Sequence, residues 1–202
     1  MSRPLVLGLT GSIGMGKSAT AALFSARGIP VHDADAAVHA LYAPGGAASI
    51  AIAKEFPGIL AADGSVDRGR LRATVLGHPE RLAALESLVH PLARRAAGDF
   101  LAAHAQAPVA VLDIPLLFET GGDARCDAVL VVTAPAEVQR QRVLARPGMD
   151  AATFESILAK QMSDSEKRAR ADFVLDTSLG FAHAEAEVDG ILARLRGMPS
   201  PP

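Results

Sequence analysis

The sequence of 202 residues has a single cysteine, no tryptophan and no long hydrophobic run. Because Cys126 has no second cysteine to pair with, no intramolecular disulfide can form, and we expect a location in the reducing cytoplasm. The longest apolar stretches, such as Pro108 to Leu112, are far shorter than the ~20 residues that a membrane-spanning helix needs. The first residues also lack the pattern of a secretory signal, so we expect neither export nor a membrane partner.

An excess of charge of one sign is also absent. The chain has 20 basic and 22 acidic residues, a net charge of −2 and an isoelectric point near 6.3. Without a basic field we expect no nucleic-acid partner, and phosphate recognition has to come from a local site. Half of the residues are hydrophobic and 21% are charged, which predicts a folded chain of one domain, or of one domain with a modest insertion.

Five short apolar runs indicate β-strands that are covered on both faces. They do not alternate apolar with polar residues, and longer helical patterns separate them, as in a parallel sheet. We therefore predict an α/β fold with a five-stranded parallel sheet flanked by helices. The predicted strands are Leu5 to Thr10, Ile29 to Asp33, Val109 to Ile114, Ala128 to Thr133 and Phe173 to Asp176.

The connection between the second and third strands is too long for a single crossover helix. More than 70 residues without a strand pattern lie between Asp33 and Val109. We interpret residues 36–105 as a helical lobe, with Pro91 kinking or dividing its last helix. The predicted helices of this lobe are Ala34 to Tyr42, Ser49 to Phe56, Arg68 to Leu76 and Pro79 to Ala105.

A second helical and charged segment, residues 142–167, precedes the last strand, and we interpret it as a mobile lid. Gly148 and Asp150 mark a break between two of its helices, and Ser163 with Glu166 has the spacing of a capping box. The core then comprises residues 1–35, 106–141 and 168–197, so that residues 1–202 form one unit with three parts. The proline-rich tail from Met198 onward has no pattern, and we expect it to fray.

Residues Gly11 to Ser18 read GSIGMGKS, which fits the P-loop pattern G-x-x-x-x-G-K-[ST] between a strand and an amphipathic helix. Glycines let successive main-chain N–H groups turn toward phosphates, and the following helix adds its positive end. We expect Lys17 to contact the β- and γ-phosphates, and Ser18 to offer its hydroxyl to a Mg²⁺ ion held by the nucleotide. The predicted nucleotide-binding residues are Gly11, Gly14, Met15, Gly16, Lys17, Ser18 and Ala19.

Acidic residues follow two of the predicted strands. Asp33 and Asp35 fall at the end of the second strand, where the carboxyl edge of the sheet would place both beside the P-loop. One can orient or deprotonate an attacking hydroxyl and the other can hold a metal-bound water, although either can instead cap the following helix. Asp113, after four apolar residues, has the form of a Walker B strand end, a position that a turn residue also occupies.

Two arginines, Arg142 and Arg146, are four residues apart and share one face of a predicted helix, with Arg140 turned elsewhere. Their guanidinium groups could clamp the oxygens of a transferred phosphoryl group, or they could form a solvated surface. His90 precedes Pro91 at the predicted break, where a histidine is more often structural than functional.

The motifs together resemble those of the dephospho-CoA kinase family, in the same order along the chain. The resemblance begins with Leu9 to Ser18 and Val31 to Asp35, and it extends over essentially Leu5 to Gly180. The further matching segments are Asp63 to Arg72, the His90–Pro91 pair, Asp113 to Glu119, Gln139 to Gly148, Gln161–Met162 and Ala171 to Asp176.

The resemblance implies a P-loop kinase with a nucleotide core, a helical lobe for the acceptor, and a lid. It implies ATP as the donor and the ribose 3′-hydroxyl of dephospho-CoA as the acceptor, with CoA and ADP as products. Asp35 matches the base of the family, and Arg142 and Arg146 match its lid arginines. The expected acceptor-binding residues are Thr10, Asp33, Asp35 and His90.

The sequence also departs from the pattern of that family. Ser12, Met15 and Ala19 replace residues that are usual in its P-loop, but none of the three replacements removes a main-chain donor. Pro147 stands in the lid where an acidic residue or asparagine is usual. Thr177 replaces an asparagine after the last strand, where the resemblance implies contacts to adenine.

Two other functions remain open from the residues alone. Another small-molecule or nucleoside kinase would use the same fold. An ATP-binding module without catalysis would keep the P-loop, but it would leave Asp33, Asp35 and the paired arginines unexplained. A GTP-dependent switch would need a guanine-reading Asn/Thr-Lys-x-Asp segment, and none of the four lysines lies in one.

Overall fold

Five strands and nine α-helices lie within residues 3–198, the part of the chain that the computed structural model describes. The strands are β1 Leu5–Thr10, β2 Val31–Asp33, β3 Val109–Asp113, β4 Ala128–Thr133 and β5 Phe173–Asp176. The helices are α1 Lys17–Ala26, α2 Ala34–Leu41, α3 Ala47–Glu55, α4 Arg68–Val75, α5 Pro79–Ala103, α6 Ala136–Leu144, α7 Ala151–Leu158, α8 Asp164–Ala169 and α9 Phe181–Arg196. The strands form one sheet in the order β2-β3-β1-β4-β5, which confirms the predicted α/β fold.

Apolar side chains cover both faces of this sheet. On β4, the side chains of Ala128, Leu130 and Val132 belong to one buried cluster, which also contains residues of α1 and α9. Val129 and Val131 belong to a second cluster on the opposite face. Because both faces of β4 are buried, this strand reads as a continuous apolar run and its bounds were predictable.

The parallel register brings the carboxyl ends of the strands to one edge of the sheet. Leu9 of β1 lies opposite Asp113 of β3, and Thr133 of β4 lies opposite Asp176 of β5. The loops that follow these strands therefore leave from a common edge. In open α/β sheets this edge is where ligands bind.

The contacts between Cα atoms divide the chain into two compact units. The first runs up to His32 and resumes at Leu101, so it contains most of the sheet, and the second is Asp33–Phe100. The second unit has an apolar core of its own. This core comprises Ala48, Ile52, Phe56, Ile59, Val66, Leu71, Leu85 and Val89. The finer division into a core, a substrate lobe and a lid stays a prediction.

Helix α5 runs through Pro91 without a division, so the expectation that Pro91 divides this helix is wrong. Proline removes one main-chain hydrogen bond and costs a helix about 3 kcal/mol. On both sides of it, however, apolar residues pack into the core of the second unit: Leu85, Leu88, Val89 and Leu92. Burying a side chain of this size contributes roughly 1.5 to 3 kcal/mol, so the packing outweighs the lost bond.

The other predicted boundaries differ little from the observed ones. Strand β2 begins at Val31, two residues later than expected, because Pro30 has no N–H to donate to a sheet. The capping box is confirmed, since Ser163 and Glu166 each accept a hydrogen bond from the other's main-chain N–H.

Residues 199–202, most of the predicted frayed tail, lie outside the described residues. No helix within residues 3–198 has the length and apolar character that crossing a membrane requires.

Candidate active site

The P-loop connects β1 to α1, and its glycines are required by both backbone conformation and packing. Gly14 and Gly16 have φ angles of +80° and +91°, a region that other residues rarely adopt. A Cβ atom on Gly14 would lie 2.5 Å from Cγ2 of Val143 in α6, and one on Gly16 would lie 2.9 Å from Cγ2 of Thr177. The loop therefore packs directly against α6 and the chain that follows β5.

The N-terminus of α1 is open to an anion. Its N-cap residue, Gly16, has no side chain to accept a hydrogen bond, and no acidic residue lies in the first turn. The main-chain N–H groups of a first turn carry a partial positive charge. The next two residues of the motif, Ser18 and Ala19, are exposed. This end of α1 is therefore suited to bind phosphate oxygens.

Lys17 and Asp113 form an ion pair at the carboxyl edge of the sheet. The Nζ atom of Lys17 lies 2.5 Å from Oδ1 of Asp113, and the two side chains are 15% and 4% exposed. The aspartate ends β3, and the lysine begins α1. The P-loop lysine is thus paired with the predicted Walker B aspartate. The carboxylate holds the ammonium group beside the P-loop.

Arg142 is held by the chain that follows β5. Its Nη1 atom donates to the hydroxyl of Thr177 at 2.8 Å, and its Nη2 atom donates to the carbonyl of the same residue at 2.9 Å. The Thr177 hydroxyl in turn donates to the carbonyl of Met15 in the P-loop at 2.9 Å. Thr177, which stands where the family pattern has an asparagine, therefore joins Arg142 to the P-loop.

A pocket of about 420 Å³ adjoins these residues. Its volume falls in the range of small-molecule and cofactor sites. Arg142 and Arg146 both line it, as their spacing predicted, whereas Arg140 lies 3.7 Å from Glu155. The lining consists of Gly14, Gly16, Ala19, Thr20, Leu23, Arg142, Arg146, Thr177, Gly180, Phe181 and Ala184.

Two glutamines hold the peptide groups of Ile13 in the P-loop. Nε2 of Gln139 donates to the Ile13 carbonyl at 2.7 Å, and the Ile13 N–H donates to Oε1 of Gln161 at 3.1 Å. Both glutamines occur in segments that resemble the kinase family, but residue chemistry alone predicted no role for either. Their positions, more than 120 residues from the loop, give no local signal of this contact.

Thr10 is the last residue of β1, and its buried side chain faces away from solvent. Its hydroxyl donates to the carbonyl of Pro115 at 3.0 Å. The residue was predicted to approach the acceptor, and in this structure its hydroxyl is used by the loop that follows β3.

The other predicted acceptor residues belong to the second unit. Asp33 is the N-cap of α2, where its Oδ1 atom accepts from the N–H of Ala36 at 3.0 Å. Asp35 lies in the first turn of the same helix and is exposed. His90 is exposed on α5, inside the helix rather than at a break. The capping alternative thus applies to Asp33, and the approach of these residues to the P-loop stays a prediction.

Within residues 3–198 there is no cluster of three or more histidine, cysteine, aspartate or glutamate side chains that could hold a metal ion. Ser18, in the first turn of α1, is an exposed residue. Asp113 ends β3 at the same edge of the sheet, and it is paired with Lys17. Hydroxyl and carboxylate oxygens are the ligands that Mg²⁺ prefers, so the residues present suit a nucleotide-bound Mg²⁺.

The sequence has close relatives of known family. A family model for dephospho-CoA kinase matches residues 5–182. The dephospho-CoA kinase of Mesorhizobium japonicum is 58% identical over 195 residues, which cover 96% of this chain and 98% of that protein. That of Cereibacter sphaeroides is 55% identical over 194 residues, with coverages of 96% and 97%.

Solved structures agree with this relationship. TT1252 from Thermus thermophilus is 37% identical and superposes with a TM-score of 0.84, over 96% of this chain and 98% of that one. A dephospho-CoA kinase from Campylobacter jejuni, 21% identical, has the same fold, with a TM-score of 0.65 over 94% and 96% of the two chains. The chain belongs to the dephospho-CoA kinase family, a family of ATP-dependent phosphotransferases.

Proposed function

We propose that this chain transfers the γ-phosphoryl group of ATP to the ribose 3′-hydroxyl of dephospho-CoA and releases CoA and ADP. The observation that supports this most directly is the P-loop, whose Lys17 is paired with Asp113 at the head of an uncapped helix. Membership of the dephospho-CoA kinase family supports the choice of acceptor.

The P-loop and Lys17 bind the donor. Main-chain N–H groups of Gly11 to Ala19 and the positive end of α1 contact the phosphate oxygens, and the ammonium of Lys17 contacts the β- and γ-phosphates. As charge moves onto the bridging oxygen that leaves with ADP, the ammonium stabilises it. Stabilisation of developing charge by fixed groups is usually the largest catalytic contribution.

Asp35 is the proposed base for the 3′-hydroxyl. The oxygen of this hydroxyl forms a bond to the γ-phosphorus, the bond from phosphorus to the bridging oxygen breaks, and the hydroxyl proton passes to the carboxylate. Among residues 3–198, the exposed carboxylate of Asp35 makes no hydrogen bond, whereas Asp33 uses one oxygen to cap α2. This difference favours Asp35, with Asp33 and His90 holding the acceptor.

Arg142 and Arg146 are proposed to clamp the transferred group. Arg142 uses two of its N–H donors on Thr177, and a guanidinium has five, so about three remain for phosphate oxygens. The contacts to Thr177 fix the guanidinium before the nucleotide binds. A fixed, planar donor set loses less rotational freedom for each bond that it forms.

Mg²⁺ is proposed to bind with the nucleotide at Ser18. When bound, the ion would neutralise part of the charge on the phosphates of the nucleotide. From this chain, the hydroxyl of Ser18 would be the direct ligand, and Asp113 would hold a metal-bound water. The cytoplasmic location also stays a prediction, and it depends on the single cysteine.

The acceptor is tested by measuring ATP consumption with dephospho-CoA beside adenosine and simple nucleosides. We expect turnover with dephospho-CoA and little with adenosine, because the binding energy of the pantetheine arm helps to orient the ribose. Phosphorylation of a nucleoside alone would favour the nucleoside-kinase alternative. ATP binding without turnover on any acceptor would favour a non-catalytic module.

The base is tested by comparing Asp35→Asn with Asp33→Asn. Asparagine also caps helices well, so the second variant keeps the cap of α2 and serves as a matched control. We expect Asp35→Asn to lower kcat by about 10² or more, the usual contribution of a general base, with the ATP dissociation constant unchanged. A larger loss of kcat in Asp33→Asn would assign the base to Asp33.

A further inference from the structure

A lysine is completely buried beside the loop that follows β3. The side chain of Lys167, on α8, has no exposed surface. A buried ammonium group loses its hydration, which is costly unless every donor finds a partner. The proposed reaction assigns Lys167 no task, so its burial needs another explanation.

The ammonium group of Lys167 is paired with a carboxylate and donates to it and to a main-chain carbonyl. Its Nζ atom lies 2.9 Å from Oε1 and 3.2 Å from Oε2 of Glu119, and 3.4 Å from the carbonyl of Pro115. The Glu119 side chain is 18% exposed and also accepts from the Met162 N–H at 2.8 Å. Burial raises the pKa of Glu119, but hydrogen bonds from Lys167 and Met162 outweigh this and hold the pKa below its ordinary value.

The first connection from this pair to the P-loop passes through Pro115. The carbonyl that accepts from Lys167 also accepts from the hydroxyl of Thr10 at 3.0 Å. Thr10 is buried and directly precedes Gly11, the first residue of the P-loop. Lys167 and Thr10 therefore donate to the same carbonyl oxygen, and Thr10 is the residue immediately before the P-loop.

The second connection passes through the chain before α8. Glu119 accepts from the main chain of Met162, and the preceding residue, Gln161, accepts from the N–H of Ile13. Ile13 lies in the middle of the P-loop. Fixing Met162 thus fixes the main chain that presents Gln161 to the loop.

We propose that Lys167 and Glu119 are positioning residues for phosphoryl transfer, and that their ion pair holds the P-loop at Thr10 and at Ile13 in its phosphate-binding conformation. Misplacement of reacting groups by about 1 Å can lower an enzymatic rate about 10²-fold. An ion pair that holds the loop at two points prevents such displacement. This inference rests on the proposed kinase reaction.

A purely structural role gives a different expectation. Removing one partner of a buried ion pair leaves an unpaired buried charge, whereas replacing both partners by neutral residues of similar volume is often neutral or stabilising. The double variant Lys167→Met/Glu119→Gln removes both charges and fills the same space. The glutamine introduced at position 119 can still accept from Met162, but the methionine introduced at position 167 cannot donate to Pro115.

The experiment measures Tm, kcat and the ATP KM of Lys167→Met, Glu119→Gln and the double variant. We expect Tm to fall in the single variants and to recover in the double variant, with kcat lowered at least tenfold in all three. Recovery of kcat together with Tm would overturn the proposal, because the pair would then contribute only stability.

A matched control is available in the same unit. Asp127 also accepts from a cation, Arg3, and from a main-chain N–H, that of Val6, and its side chain is 20% exposed. We expect Arg3→Met/Asp127→Asn to change Tm but to leave kcat as in the wild type. An equal loss of kcat in this control would also overturn the proposal, since it would show that any broken pair in the unit lowers activity.

A milder variant tests the second connection if the pair variants do not fold. Gln161→Met removes one hydrogen bond and keeps the side-chain volume, so we expect Tm to stay within a few degrees of the wild type and kcat to fall at least fivefold. An unchanged kcat would overturn the role of this connection in catalysis. The acceptor is whichever one the wild type phosphorylates, so a failure of the dephospho-CoA assignment is seen in the wild type and is separate from this result.

Discussion

Replacement of Gly14 by alanine tests how tightly the P-loop packs against α6. The new Cβ would lie 2.5 Å from Cγ2 of Val143 and 3.0 Å from the main-chain oxygen of Gln139. Val143 is fully buried and β-branched, so its side chain has little freedom to turn away from the contact. The substitution therefore requires a shift of the P-loop or of α6, which carries Arg142.

The expected destabilisation has two parts. A non-glycine residue at the φ of +80° costs about 1 to 2 kcal/mol. Inserting a methyl group into a well-packed site costs about 1 to 3 kcal/mol more. We expect the free energy of unfolding of Gly14→Ala to fall by about 2 to 5 kcal/mol in total, against the about 5 to 15 kcal/mol that is typical of a folded domain.

Gly28→Ala is the matched control for the conformational part. Gly28 has a φ of +72°, and a Cβ there would have no atom within 4 Å, so only the backbone cost of about 1 to 2 kcal/mol applies. Urea unfolding followed by circular dichroism measures both variants. An equal loss of unfolding free energy in the two would refute the packing argument, and so would wild-type kcat in Gly14→Ala.

Replacing both Arg142 and Arg146 with lysine should lower kcat although the charge is kept, because lysine cannot donate two parallel hydrogen bonds to a phosphate group. Unchanged steady-state kinetics would show that both arginines are ordinary solvated surface residues. Burial raises the pKa of Cys126 to about 11. Alkylation of this thiol by iodoacetamide at neutral pH should therefore be slow in the folded protein and faster in urea. Equal alkylation rates in the two conditions would contradict the burial of Cys126. Because the pKa of Glu119 is lowered on folding, its charge contributes stability at neutral pH that is lost as pH falls through the folded pKa, below the ordinary 4.5. The difference in unfolding free energy between the wild type and Glu119→Gln should therefore shrink at acid pH, and a difference that is constant with pH would contradict the ion pair.

The strands and most helices were predictable because their signals are local. β1 and β4 are buried along their whole length and appear as uninterrupted apolar runs, and the capping box at Ser163 follows from two residues three positions apart. The effect of Pro91 on its helix was harder to predict, because it depends on how the flanking leucines pack against other helices rather than on the proline itself.

The contacts of the site were less predictable than its motif. The sequence pattern of Gly11 to Ser18 predicts a phosphate site without any other information. The anchoring of Arg142 by Thr177 joins residues 35 positions apart, and the pair of Lys167 with Glu119 joins residues 48 positions apart. Side-chain pairing at such distances along the chain leaves no local signal, and a lysine on a short helix is ordinarily expected at the surface.

The central claim is most directly tested by locating the phosphate in the product formed from ATP, Mg²⁺ and dephospho-CoA. Fragmentation in a mass spectrometer, together with phosphorus NMR of the purified product, identifies which oxygen has been phosphorylated. We predict one new phosphate, on the ribose 3′-oxygen, in a product identical to CoA. A phosphate at any other position, or no transfer to dephospho-CoA by the folded protein, would contradict the proposed reaction.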